Sequence, residues 1–375
     1  MKSRICDLLD IEFPLIAFSH CRDVVVEVSK AGGMGVFGAA AHNAESLEIE
    51  LKWIDEHIGG KPYGVDLLAP ASLAITDDDT SESTLARVPE AHRDFARGVL
   101  AQYGIDSSDV YANQRGGGGA FLTAKRAANI IDVAFAHPIK LIANALGVPP
   151  RYMLEMGKQH GVAVAALVGA KEHAIKQCEA GVDILVVAGT EAGGHTGDVG
   201  TIVLIPEICD AVKNYDVAVL AAGGIVTGRQ MAACMAMGAH GAWTGSVWLT
   251  TTEAETSPVV KEKYVQASSR STVRSKYRTG KYTRQLRSPW TDAWESADAP
   301  EPLPAPLMSL VSEPALRKVT KLAEGGHAGA RQLATYFVGQ GVGLMNSIQD
   351  TRTVVREFME DYLAAVERLS ATVES

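Results

Sequence analysis

Short apolar runs alternate with helix-like stretches through the first 250 residues of the chain. The runs cover residues 13–18, 34–38, 63–68, 139–143, 162–168, 184–188, 217–221 and 241–244, eight in all. Several are apolar without alternation, the pattern of strands covered on both faces. Helix-like stretches lie between them at 44–57, 149–160, 170–180, 202–214 and 227–237, and glycines 59, 161, 181 and 238 close several of them. Alternating strand and helix implies a parallel sheet. Eight such units predict an α/β fold, a (β/α)8 TIM barrel over residues 1–250, with an open doubly wound sheet as the alternative.

One connection is far longer than the few residues that would serve. Seventy residues, 69 to 138, separate the third run from the fourth. In a barrel this segment rises from the C-terminal face, where active sites sit. It opens with Asp77, Asp78, Asp79 and Glu82, predicts a helix over 85–103, and then carries glycines 116–119 and a basic stretch with Lys125 and Arg126. Its place favours a substrate lid over a plain surface excursion. After residue 250 the pattern changes again. Residues 250–278 are polar, and Pro289, Pro300, Pro302, Pro304 and Pro306 punctuate a segment that holds Trp290 and Trp294. Helices resume at 313–322 and 351–369, so 251–375 reads as a mostly helical C-terminal extension that completes the active site.

Composition narrows the classes. With 47% hydrophobic residues in 375, a sizeable core is available. The formal charge of -9 and the absence of a lysine/arginine run argue against nucleic acid as a partner. No run of about 18 apolar residues occurs, so no membrane-spanning helix is expected, and the N-terminus has no signal-peptide pattern. The five cysteines are widely spaced without a CxxC pair, which fits reduced thiols, a cytoplasmic location and no metal site. An acidic chain can still hold phosphate through backbone amides.

Two stretches carry the chemistry. Leu220-Ala221-Ala222-Gly223-Gly224-Ile225 ends the seventh run in paired glycines before a helix, which exposes amides at a helix N-terminus. The eighth run ends in Ala242-Trp243-Thr244-Gly245-Ser246. In barrels, the loops after strands 7 and 8 often form one phosphate pocket. The alternative is two ordinary turns that need small residues. After the sixth run comes Ala188-Gly189-Thr190-Glu191-Ala192-Gly193-Gly194-His195-Thr196-Gly197, with four glycines in nine residues. Such a loop can approach a flat ring closely. Its histidine, His195, can exchange a proton near neutral pH, whereas the bland role would be to brace the loop. His20 lies at the same face, and His240 is expected at the opposite end in a structural role.

With these motifs in view, the chain resembles the nitronate monooxygenase family, formerly 2-nitropropane dioxygenases, over nearly its whole length. The resemblance rests on Arg4 to Ile16, Ala31-Gly32-Gly33-Met34-Gly35, the Glu191 to His195 motif, Ala221 to Ile225 with Gly245-Ser246, Thr279-Gly280 with Arg284, and Tyr336 with Gly339-Gln340-Gly341. It implies an FMN-dependent barrel enzyme with His195 as catalytic base. It also implies cofactor contacts from Ala17, Phe18, Ser19, Asp66, Ala188, Gly189, Thr190, Gly193, Gly194, Ala222, Gly223, Gly224, Trp243, Thr244, Gly245, Ser246 and Gln340. The chain departs from the family where many members carry Asn (Asp66 here) and Gln (Ala188 and Trp243 here), and its first loop, Ala17-Phe18-Ser19, lacks the usual Pro-Met.

The implied reaction oxidises an alkyl nitronate or nitroalkane with O2 to a carbonyl compound and nitrite. Two rivals stand beside it. One is an NAD(P)H-dependent flavin reductase of enoyl thioesters or quinones, which share this motif and fold. The other is a flavin-free barrel that binds a phosphorylated metabolite. The expected partners are a small-molecule substrate and O2, with NAD(P)H as the rival electron donor and a homodimer as an open option.

Overall fold

A computed structural model describes residues 2–69, 81–112 and 124–373 of the chain. Eight parallel strands close into one barrel: β1 Leu15–Ser19, β2 Met34–Gly38, β3 Tyr63–Leu67, β4 Leu141–Asn144, β5 Ala163–Val168, β6 Ile184–Ala188, β8 Ala218–Ala222 and β9 Gly241–Thr244. The short β7, Gly194–His195, follows β6 in the chain but lies outside the ring. Closure is made by β9 against β1, with Ile16 opposite Trp243 and Ala17 opposite Thr244. The fold is a (β/α)8 barrel, as the run pattern implies.

Strand alternation sorts the core into two layers. Inside the barrel, Ile16, Met34, Val36, Leu141, Ala165, Ile184, Val186, Leu220 and Trp243 form one cluster. They share it with Ile5, Cys6 and Leu9 of α1, Arg4–Leu9. Ser3 donates its hydroxyl to the carbonyl of His240, just before β9, so α1 plugs the N-terminal end of the barrel. The outward residues of the strands meet the surrounding helices, α2 Arg22–Lys30, α3 Ala44–His57, α7 Arg151–His160, α8 Lys171–Ala180, α9 Thr201–Val212 and α10 Gly228–Ala236. Both faces of the strands are therefore largely apolar, which is why most of these runs lack a period of two.

The long connection contains α4 Ser81–Ala86, α5 Glu90–Gln102 and α6 Ala124–Phe135. The predicted single helix over 85–103 is broken by Pro89, which takes the N-cap of α5. Helix α6 packs on α3 and α7 in the outer helix layer, so the added part of the connection precedes it. Helices α4 and α5 instead pack against α13, Leu307–Glu324, of the extension. The tetraglycine at 116–119 and Asp77 to Asp79 lie outside the described residues.

The extension comprises α11 Pro258–Gln266, β10 Thr272–Ser275, β11 Thr283–Leu286, α12 Pro289–Trp294, α13, α14 Ala328–Leu333 and α15 Thr351–Ala371. Its tryptophans anchor it. Trp290 and Trp294 are each 1% exposed, and Trp294 meets Phe95 of α5 edge-on, with ring centroids 4.6 Å apart. Burying each large aromatic contributes about 2–3 kcal/mol, so the Trp/Pro-rich segment is a core between extension and insertion. Strands β10 and β11 pair antiparallel and recruit β7, giving a small sheet ordered β10-β11-β7. Among the described residues no helix is long and apolar enough to cross a membrane.

Candidate active site at the carboxyl ends of the strands

The loops after β6, β8 and β9 meet at one end of the barrel and are stitched to each other. The amide of Gly189 donates to Ala222 O at 3.1 Å, and Thr190 N donates to Val199 O at 2.8 Å. Glu191 turns its carboxylate onto the N-terminus of α9. It accepts from the Thr201 amide at 3.0 and 3.2 Å and from the Thr201 hydroxyl at 2.8 Å. A carboxylate there satisfies an orphan amide and meets the positive end of the helix. The Thr201 hydroxyl also lies 3.2 Å from Gly223 O, so the β6 and β8 loops share one anchor.

Gly223 and Gly224 have φ of +103° and +69°, a region that L side chains rarely adopt. A Cβ on Gly223 would lie 2.9 Å from Gly189 N, and one on Gly224 would lie 2.9 Å from Glu191 Cβ. The turn after β8 thus needs glycine for its conformation and for its packing. Gly245 differs, because its φ is -130° and a Cβ there would meet nothing closer than Phe18 Cδ1 at 3.9 Å. Among the described residues, the amides of Gly223, Gly224, Ile225, Gly245 and Ser246 donate to no protein acceptor. Adjacent strand ends therefore present a group of unpaired N–H donors, the donor set a phosphate takes.

The extension closes over these loops. Gln340 N donates to Glu191 O at 2.9 Å, and Gly339 N donates to the Ser246 hydroxyl oxygen at 2.9 Å. Arg284 of β11, 7% exposed, gives two N–H bonds to Thr190 O, at 3.0 and 3.1 Å, and one to the Thr272 hydroxyl at 3.1 Å. Burial pushes its pKa down, and the neighbouring Arg274 adds to that. The two arginines stand directly opposite each other in the β10–β11 register. Arg274 is held by the Thr196 hydroxyl at 2.8 Å and by Asp198, and its guanidinium lies over the Tyr282 ring at 4.0 Å.

His195 sits on β7 opposite Thr283 of β11. Its side chain is open to solvent, yet protein surrounds it densely. Burial is the larger cause that lowers its pKa from 6.5, and the Lys281 charge is the second. The imidazole is therefore neutral at pH 7. Its Nε2 lies 3.0 Å from the Thr279 hydroxyl oxygen, which in turn lies 3.2 Å from Lys281 O, an atom that can only accept. With the hydroxyl proton on Lys281 O, Nε2 carries the ring proton and Nδ1 keeps the lone pair.

Inside the barrel mouth, Phe18, Asp66, Ala188, Ala222 and Trp243 lie on inward-facing positions. The Phe18 and Trp243 rings stack with centroids 6.4 Å apart at 24°. The alanines leave room that larger side chains would fill. The remaining expected contacts divide. Gly189, Thr190, Gly193, Gly194, Gly223, Gly224, Gly245, Ser246 and Gln340 belong to the stitched loops. Ala17 packs in the outer layer, the Ser19 hydroxyl is taken by Cys21 N at 3.1 Å, and the Thr244 hydroxyl donates to Ile16 O at 2.9 Å. These three side chains are turned to the scaffold, so only their backbone faces the mouth. His20 is fixed at this same end by Nδ1 at 2.9 Å from Gly38 O. His240 lies at the opposite end, where its Nδ1 accepts from Val219 N at 3.0 Å. Sequence reasoning missed Lys281 and Arg274, because nothing in the sequence pairs β7 with β11.

A family model described as nitronate monooxygenase matches residues 2–361 of the chain. The chain belongs to the nitronate monooxygenase family. That membership makes it an oxidoreductase of flavin chemistry. A Mycobacterium tuberculosis protein named as a monooxygenase is 50% identical over 377 residues, covering 100% of both chains. A Staphylococcus saprophyticus protein named for nitronate monooxygenase is 25% identical over 303 residues, 77% of this chain and 79% of that one. Among solved structures, a nitroalkane oxidase from Streptomyces ansochromogenes superposes with a TM-score of 0.78 at 23% identity, covering 97% of this chain and 99% of that one. This last likeness concerns the fold.

Proposed function

We propose that the protein is an FMN-dependent nitronate monooxygenase that converts alkyl nitronates and nitroalkanes, with O2, to a carbonyl compound and nitrite. One observation carries this reading. Unpaired amides after β8 and β9 and a neutral histidine after β6 converge on the same end of one barrel. The amides of Gly224, Ile225, Gly245 and Ser246 would hold the cofactor phosphate, and the small residues Ala188 and Ala222 would admit its ring. When bound, the flavin supplies the redox chemistry between substrate and O2.

The chain's own groups supply positioning and proton handling. His195 Nδ1, with its lone pair free and Nε2 tied to Thr279, removes the α-proton of a neutral nitroalkane or orients the nitronate anion. The Lys281 charge beside the imidazole favours an anion there. The extension, through Gly339 and Gln340, completes the site on the 1–250 barrel, and the insertion that packs on α13 serves as its cover.

A visible spectrum of the purified protein tests the cofactor, and anaerobic mixing tests the donor. The expected result is a yellow protein, bleached by a nitronate without NADH or NADPH. Bleaching by NADH or NADPH alone would replace this reading with a reductase. A protein that stays colourless with added FMN would replace it with a phosphometabolite barrel.

A further inference from the structure

Asp66 is a buried acid whose side chain has no partner among the described residues, in a position that alternation on its strand assigns to the barrel interior. Tyr63, Val65 and Leu67 of β3 pack in the outer layer against α3 and α6. Asp66 therefore points inward, level with Gly38 of β2 and Ala143 of β4. It is 5% exposed. Its backbone oxygen accepts from Ala39 N at 2.8 Å, but among the described residues its carboxyl forms no hydrogen bond or ion pair.

The charged and titratable groups of the packed elements face elsewhere. Tyr63 donates to Asp55 at 2.6 Å on the outer side of β3, and His137 lies between Asp55 and Glu48 there, at 2.6 and 3.1 Å. His20 spends its Nδ1 on Gly38 O. The inward positions around the mouth carry Phe18, Ala143, Ala188, Ala222 and Trp243. Nothing described stabilises an anion at this position, and burial alone holds the carboxyl well above the usual 3.8. A carboxylate without a partner in such surroundings takes up a proton rather than bear the desolvation.

We propose that Asp66 works as a protonated carboxylic acid whose Oδ–H donates to the flavin ring at the barrel mouth. This rests on the flavin reading above. A neutral carboxyl matches a carboxamide in shape and offers the same donor and acceptor, but it loses its donor when it ionises. Flavin affinity is thereby tied to pH through one side chain. Above the pKa of Asp66 in the folded protein, a negative charge facing the ring opposes binding.

The test uses the full chain, with FMN as the probe, in wild type and Asp66→Asn. In wild type the FMN dissociation constant is expected to be flat at low pH and then to rise with pH, by about tenfold per unit at the steepest. Asp66→Asn should retain FMN with a flat profile over the same range. Superimposable profiles in the two proteins would overturn the proposal, as would loss of FMN from Asp66→Asn at neutral pH. Infrared spectra of the apo forms separate this from the flavin reading. A protonated-carboxyl C=O band at pH 7 is expected in wild type and not in Asp66→Asn. Its absence from wild type overturns the proposal whatever FMN does. The band present in a protein that binds no FMN would overturn both the flavin reading and the ring contact, while leaving the protonation in place.

Discussion

The two ends of this barrel each hold a histidine whose pKa burial pushes down, and the two histidines serve opposite ends. At the N-terminal end, His240 Nδ1 accepts from the amide of Val219, and its own amide donates to Val219 O at 2.7 Å, beside the plug made by α1. The two bonds between His240 and Val219 complete the seam between β8 and β9. At the C-terminal end, His195 meets a single hydroxyl, Thr279, from the connection between β10 and β11, outside the barrel. The direction of a pKa shift thus says nothing about role. What separates the two is the partner: His240 spends its ring bond on a barrel amide, whereas His195 spends its own on a side-chain hydroxyl at the barrel mouth.

The largest way to sharpen that contrast lies in the glycine turn after β8, at the same end of the barrel as His195. Gly224→Val forces a side chain into a left-handed φ and against Glu191 Cβ. The strain alone costs about 1–3 kcal/mol, and the turn must move, so flavin retention should be abolished while the α1-plugged end stays folded. Gly245→Ala is its control. Nothing in the protein crowds a Cβ there, so its melting temperature should equal wild type while flavin affinity falls. Flavin content unchanged in both variants would remove the phosphate site from the β8 and β9 turns.

Next in size is His240→Leu, which leaves the amide of buried Val219 without an acceptor. That should cost about 1–3 kcal/mol of stability with turnover per folded molecule unchanged. Denaturant unfolding and steady-state rates check the two halves, and a loss of turnover without loss of stability would break the contrast.

Both histidines titrate at 6.5 in the unfolded chain and lower in the folded one. Between those values the unfolded chain binds more protons, so stability should rise with pH up to about 6.5 and level off above it. Turnover of a neutral nitroalkane should show an acid limb below 6.5 for the same reason, because a base must be unprotonated. Melting temperatures and rates between pH 5 and 8 would show both. Replacing His240 should make the stability slope shallower, with the His195 share remaining, and leave the acid limb of the rate in place.

The smallest effect concerns the clasp between barrel and extension. Ser246→Ala removes the acceptor for Gly339 N, worth about 0.5–1.5 kcal/mol. Hydrogen exchange should quicken around 339–344 and leave the barrel strands unchanged.

The barrel was legible in the sequence because its strands are buried on both faces, so runs such as Met34–Gly38 and Ile184–Ala188 stand out unbroken. The glycine turns were legible because their conformation excludes other residues, and the histidine loop because four glycines in nine residues serve little else. The sheet that holds His195 was not. Strand β7 is two residues long, one of them glycine, and β11 reads Thr283-Arg284-Gln285-Leu286, polar by composition yet buried at every position. Its burial works only because Arg284 finds Thr190 O and Gln285 finds Arg278 at 2.8 Å. Those partners lie 94 and 7 positions away, respectively, and no local pattern announces them. The break at Pro89 could have been read, since proline opens helices far better than it continues them.

The claim at the centre is that His195 moves a proton for a site built to take a nitronate. The measurement is the rate of His195→Asn relative to wild type on one nitro compound, offered as the neutral nitroalkane and as the preformed nitronate. General base catalysis is worth about 10²–10⁴-fold, so the variant should keep its flavin and lose about that factor on the neutral form. The loss should be much smaller on the nitronate, whose proton is already gone. Equal losses on both forms, or none on either, would contradict the assignment of His195 as the base.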